Sequence, residues 1–132
     1  MFDLRLLELA RDRLKNDSVM QDLMGVDFEM FLIFGTRIPK MPYIVHSARI
    51  KGSNQAVVIA NYYLDIYDSG IDRAKLMQIV QRVRFLMERY IDPEGGGIRF
   101  FWRDTMYSTQ NETVQKAQIL YHVRGVDQDQ CY

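Results

Sequence analysis

The residue types able to do chemistry are few in this chain and stand apart from one another. Its two histidines, His46 and His122, fall in strand-like runs with no His or Cys partner at metal-ligand spacing. Isolated imidazoles of this kind fit a structural or surface role better than a ligand role. One cysteine, Cys131, excludes an internal disulfide, and its place in a polar tail suits it poorly to nucleophilic work. The run Gly95-Gly96-Gly97 precedes a strand-like segment, whereas a phosphate-cradling loop follows a strand and opens a helix; it reads as a helix stop and turn. Asp65, Asp68 and Asp72 crowd a strand–helix junction, but a hard cation needs more oxygen ligands held in one loop. Capping by Asp68 or Ser69, with Asp72 placed favourably on the helix dipole, accounts for that cluster. Arg99-Phe100-Phe101-Trp102-Arg103 interleaves cations and aromatics as single-strand binding platforms do. The simpler reading is a strand with Phe100 and Trp102 buried and both arginines outside. No Gly-x-Ser-x-Gly elbow is present. These residues predict no catalytic group, no cofactor and no metal site, hence a protein that works through its surfaces rather than an enzyme.

Length and composition set the frame for those surfaces. With 132 residues and 48% hydrophobic content, the chain is expected to form one domain, residues 1–132, with a real core and a mobile tail at 127–132. Lys+Arg and Asp+Glu each total 17, so the net charge is zero. A protein held to nucleic acid by many phosphates normally carries a basic excess, which is missing here. Neutrality also leaves little charge repulsion to oppose self-association. The opening Met1-Phe2-Asp3-Leu4-Arg5 lacks the basic start and apolar run of a signal peptide, and no apolar window is long enough to cross a bilayer. A cytoplasmic protein is expected, which makes the sequons at Asn16-Asp17-Ser18 and Asn111-Glu112-Thr113 chance matches.

Periodicity supplies the elements. Residues 2–15 read as a helix with Leu6, Leu7, Leu9, Ala10 and Leu14 on one side. Ser18 is expected to cap a second helix over 19–24, ended by Gly25. Residues 26–34 form the most apolar stretch, read as a buried strand or, alternatively, as a hydrophobic flap that meets another subunit. Pro39 and Pro42 exclude helix. A strand over 43–50, a turn over 51–55 and a strand over 56–67 read as an antiparallel hairpin. In its second strand Val58, Ala60, Tyr62, Leu64 and Ile66 share one face, and Ile59, Asn61, Tyr63, Asp65 and Tyr67 the other. A long helix over 71–91 carries Leu76, Val80, Val83, Met87 and Tyr90 inward and Phe85 on its polar side. Strands over 98–106 and 114–124, joined by the loop 108–112, complete the chain. The expected class is α/β (α+β): an antiparallel sheet of four to five strands packed by one long helix and an N-terminal helix.

This order, together with particular runs, resembles the tail-completion or tail-terminator proteins of long-tailed bacteriophages, including tail-to-head joining proteins. The runs are Leu23-Met24-Gly25, Pro39-Lys40-Met41-Pro42-Tyr43-Ile44-Val45, Tyr62-Tyr63-Leu64-Asp65-Ile66-Tyr67-Asp68 and Gln118-Ile119-Leu120-Tyr121-His122-Val123-Arg124. The apolar segment 28–34 is longer than the loop at that place in the family. The resemblance implies a structural virion protein of the tail and neck, assembled in the host cytoplasm as a hexameric ring of copies of itself. It further implies that the ring ends tube growth, docks on the tail tube protein and meets the head-completion or connector protein. DNA would pass through such a ring without being read for sequence, and no membrane is involved. A ring needs heterologous contacts that bury patches on each subunit. Phe28, Phe31, Phe34, Tyr63, Tyr67 and Phe85 are candidates for those patches. Lys51, Asn54 and Gln55 in one loop and Tyr107, Gln110 and Asn111 in another are candidates for meeting the tube or neck. Competing readings are a different neck component, such as a head-closure or minor tail protein; a small enzyme or ligand-binding domain with a pocket near His46 and Tyr62; and a single-strand binder using Arg99, Phe101 and Arg103.

Overall fold

A computed structural model describes residues 2–32, 40–54, 57–70, 73–92 and 97–126. Helices α1 (Phe2–Lys15) and α2 (Ser18–Met24) lead into a short strand β1 (Met30–Phe31), then β2 (Tyr43–Asn54) and β3 (Val57–Ser69). Helix α3 (Ala74–Glu88) and the strands β4 (Arg99–Asn111) and β5 (Val114–Val126) follow. The five strands form one sheet in the order β1-β2-β3-β5-β4. All pairings are antiparallel except that of β1 with β2. The α/β class and the antiparallel sheet packed by a long helix and an N-terminal helix are as the periodicity predicts.

Strand β3 organises the rest. Val58, Ala60, Tyr62, Leu64 and Ile66 are all buried, and in the neighbouring β5 so are Ala117, Ile119, Tyr121 and Val123. This alternation of apolar side chains follows from the pleat, which sends successive side chains to opposite faces. Helix α1 packs on the β2 side of this face and α3 over β3, β5 and β4, with α2 against α3. Leu6, Ala10 and Leu14 of α1 and Leu76, Ile79, Val80, Val83, Leu86 and Met87 of α3 fill the space between. Phe28 turns inward to join the same cluster, so it is a core residue rather than a surface contact. Beyond it Met30 and Phe31 pair with Ile44 and Val45, and among the described residues of the apolar stretch only these two are strand. Phe34 lies outside the described residues.

Several boundaries differ from expectation for local physical reasons. The N-cap of α2 is Asp17, not Ser18: its carboxylate accepts the Met20 N–H at 2.9 Å and also receives the Arg82 guanidinium at 2.7 Å, a bond that a serine hydroxyl could not match. Gly25 closes that helix at φ 100°, a backbone angle suited to glycine. Helix α3 starts later than expected, with Arg73 at the cap and no side-chain cap bond, so neither Asp68 nor Ser69 caps it. Asp68 is buried and accepts the N–H of Ser69. The hairpin strands run further than turn composition suggests. Lys51 and Asn54 are in β2, and Tyr107, Gln110 and Asn111 are in β4, so none of these five is in a loop. Gln55 falls outside the described residues.

Two irregularities matter later. Trp102 pairs with Tyr121 and Asp104 with Leu120, leaving Arg103 as an extra residue in β4. A similar shift between Ile50 and Gly52 leaves Lys51 extra in β2. The first also corrects the expected burial of Trp102. Phe100 is buried, but Trp102 is 39% exposed on the edge strand, covered on one side by the Arg84 guanidinium 4.1 Å from its ring centroid. One polar tether joins the layers: Arg5 of α1 reaches both carboxylate oxygens of the buried Asp92 at 3.1 Å, where α3 turns toward β4.

At Gly125 a Cβ would sit 2.8 Å from both Phe2 and Ile98 side chains. Gly125→Ala should therefore destabilise the fold by about 1–3 kcal/mol through overpacking, read as a lowered denaturant midpoint at unchanged m-value.

Candidate interaction surfaces

The groups singled out for chemistry are held by the core. His46 is buried, with Nδ1 2.7 Å from the Tyr62 hydroxyl and the two rings edge to face. Burial, with a smaller contribution from Arg11, lowers the imidazole to about 4, so it is neutral at physiological pH. Burial also raises the phenols of Tyr62 and Tyr121 above the usual tyrosine range. His46 is 3% exposed and Tyr62 fully buried, so a ligand pocket at these two residues gains no support from their burial. Among the described residues no group of three or more His, Cys, Asp or Glu is placed to hold a metal ion. No helix among them is long and apolar enough to cross a membrane. A groove of about 490 Å³ between α1 and α3 is lined by Arg5, Glu8, Asp12, Asp17, Tyr90 and Asp92 among others. Its carboxylates Asp17 and Asp92 are already held by Arg82 and Arg5. Asp17 is pulled below the usual carboxylate range, chiefly by its hydrogen bond from Arg82.

The surfaces are more informative. On α3, Phe85 is 48% exposed and lies between two guanidinium groups, Arg82 at 4.7 Å and Arg89 at 4.3 Å from its centroid. This is where the helical spacing puts it, on the polar side. No described helix lies over the opposite face of the sheet. One end of that open face is aromatic. Tyr43 and Tyr67 stack at 5.0 Å between centroids, Phe31 meets Tyr43 edge on, and Lys116 bridges Tyr67 and Asp65. Tyr67 is buried beneath this arrangement, whereas Tyr63, further along, is half-buried. Phe31 and Tyr63 therefore keep an accessible edge, Phe85 a full face, and Phe28 and Tyr67 little surface to offer.

The other end of the open face is basic, and composition hides it. Register places Arg49, Asn61, His122 and Phe101 in one row across β2, β3, β5 and β4. Ile59, Arg124 and Arg99 form the next row, with Gly52 at its β2 end. The extra residues Lys51 and Arg103 lie close enough to His122 to lower its imidazole, after burial, below the usual value. The available signal was alternation: Arg49 with Lys51, and Arg99 with Arg103, each two or four residues apart on strands, share a face.

No family model matches the sequence, and no curated protein matches it. Among solved structures the chain is similar to a component of the virion of a native gene transfer agent particle, with a TM-score of 0.73 and 9% identity. The superposition covers 89% of this chain and 92% of that one, so the two share a fold over nearly their whole length.

The neutral burial of His46 gives a pH signature. The unfolded chain takes up a proton near pH 6.5 that the folded chain refuses until about pH 4, so this contribution is complete above pH 6.5 and lost as pH falls toward 4. The loss should amount to about 3 kcal/mol. In urea titrations from pH 7 to 4, His46→Gln should show a correspondingly shallower decline in stability than the parent protein.

Proposed function

We propose that this chain is a structural virion protein that completes a tail. Copies of it form a ring, hexameric by analogy with the resembled family, at the head-proximal end of the tail. The ring ends growth of the tube and joins it to the head connector. The observation that carries this reading is the fold shared end to end with a component of a virion particle. The sequence resemblance to tail-completion proteins independently points the same way, and the described residues offer a sheet with a bare face and a helix with an exposed anchor rather than a reactive site.

The ring contact is heterologous, meaning that two different patches of each subunit meet. Phe85, flanked by Arg82 and Arg89, has the composition of an interface anchor, since aromatics and arginines dominate binding energy. Tyr63 and Phe31 on the open sheet face offer the complementary patch. Partner contacts to the tube and the connector fall at the two ends of the sheet, where Lys51 with Asn54 and Tyr107 with Asn111 lie.

The decisive experiment is electron microscopy of particles assembled with the gene disrupted. DNA-filled heads beside separate, over-long tails are the expected result. Normal infectious particles would overturn the assignment, and empty or leaking heads would move the protein to head closure. A finer prediction concerns Phe85→Glu. Being exposed, the substitution should change monomer stability by no more than about 0.5 kcal/mol. It should nevertheless abolish ring formation, read by sedimentation velocity and negative-stain images of protein assembled on tail tubes.

A further inference from the structure

The zero net charge of the chain conceals a strong segregation. Arg49, Lys51, Arg99, Arg103 and Arg124 gather at one end of the open sheet face, around His122. All five are exposed, and among the described residues none has a carboxylate within ion-pairing distance. By contrast, Arg5, Arg82, Arg84 and Lys116 are each paired with an acid elsewhere in the fold. Mutual repulsion among five cations grouped in this way opposes folding, and no carboxylate among the described residues offsets it. Lys51 and Arg103, two of the three extra residues in the strands, add to the cluster.

The relief of the surface fits a ligand. Two shallow depressions flank the basic rows. One, about 350 Å³, is lined by Arg49, Lys51, Asn61 and Tyr63; the other, about 260 Å³, by Arg99, Phe101 and Arg124 among others. At the first, Asn61 is nearly buried and its side-chain amide N–H donates to the Tyr63 hydroxyl at 3.4 Å. At the second, Phe101 is 42% exposed with the Arg99 guanidinium 5.4 Å from its centroid. With strands about 4.8 Å apart, the cations span about 14 Å from β2 to β4, the reach of several backbone phosphates.

We infer that this basic end of the open sheet face binds the phosphodiester backbone of nucleic acid without reading its sequence. A polyphosphate chain presents one sign of charge throughout, as the cluster does. A second copy of this chain fits less well. The helical surface of α1 alternates Glu8 and Asp12 with Arg5, Arg11 and Lys15, and Asp17, Glu88 and Asp92 are already held by arginines. The inference rests on the charge layout alone and holds whether or not the chain closes a ring, so either can fail without the other.

Fluorescence anisotropy with a labelled duplex of mixed sequence, and with a single strand of equal length, provides the test. Binding should weaken with salt, with a log–log slope near −4 for the duplex, about −0.9 per phosphate contacted. The double substitution Arg99→Gln/Arg124→Gln should cut affinity about tenfold or more at low salt and flatten the slope by about two. Lys75→Gln, an exposed cation on α3 away from the patch, should leave both unchanged. Preference for the duplex would identify tracking along double-stranded backbone; preference for the single strand, lost in Phe101→Ala, would identify base stacking on the exposed ring. As an independent readout, the His122 imidazole pKa followed by NMR should rise when either nucleic acid binds, because the phosphates offset Lys51 and Arg103. Absence of salt-dependent binding, equal loss in Lys75→Gln, a stationary His122, or equal competition by polyglutamate at matched charge would each overturn the inference, the last in favour of an acidic protein surface.

Discussion

The pleat of β3 and β5 is the constraint from which the other features follow. Thirteen-residue strands in full register place every second side chain on one face, and on that face nearly every side chain is apolar and fully buried. Each large aliphatic or aromatic group buried in this way contributes about 1.5–3 kcal/mol. A slip of one residue would turn Tyr62, Leu64, Ile66, Ile119 and Tyr121 to the outside, so register is specified far more strongly than any loop. Helices α1 and α3 have little freedom in where to lie, because only one face offers an apolar surface of their length. The bare opposite face is the counterpart of that choice.

Several of the polar contacts stitch two elements together. Arg5 and Asp92 join α1 to the segment after α3; Asp17 and Arg82 join the start of α2 to α3; His46 and Tyr62 join β2 to β3. A single buried carboxylate or imidazole of this kind is costly to leave unpaired, so such pairs fix the relative position of layers more than they add net stability. The remaining charge is displaced to the surface and sorted there. Acid and base alternate along α1, whereas base accumulates on the open sheet face.

What could be read from the sequence was what repeats with a fixed period. The stripe Leu6, Ala10 and Leu14, the inward set of α3 and the alternation in β3 and β5 needed only the angles of helix and strand. Gly25 was legible for the same local reason. Counting failed wherever one residue was inserted. Past Arg103 the parity of β4 reverses, and nothing in the run from Arg99 to Met106 marks the place. Capping failed between two residues that both cap well, because the deciding partner, Arg82, is far along the chain. The hairpin tips failed because polar composition resembles a turn even where the backbone is still paired. The basic cluster escaped because net charge is a property of the whole chain, while electrostatic potential depends on which strands become neighbours. Five cations spread over residues 49–124 meet only after β5 has inserted between β3 and β4.

The bulge in β4 has a consequence of another kind. As the outermost strand at its side of the sheet, β4 is one neighbour away from pairing with any loose strand in the cell, its own copies included. An inserted Arg103 bends the edge, breaks the spacing of its free backbone groups, and adds a charge beside Asp104. At the other margin β1 pairs only with Ile44 and Val45, so beyond them no described strand covers the outer edge of β2. The β4 edge, bent and charged in this way, templates an added strand poorly, which opposes stacking into fibres through β4. Pairing of copies through β4 is thereby disfavoured relative to contact through the faces of the sheet and helices.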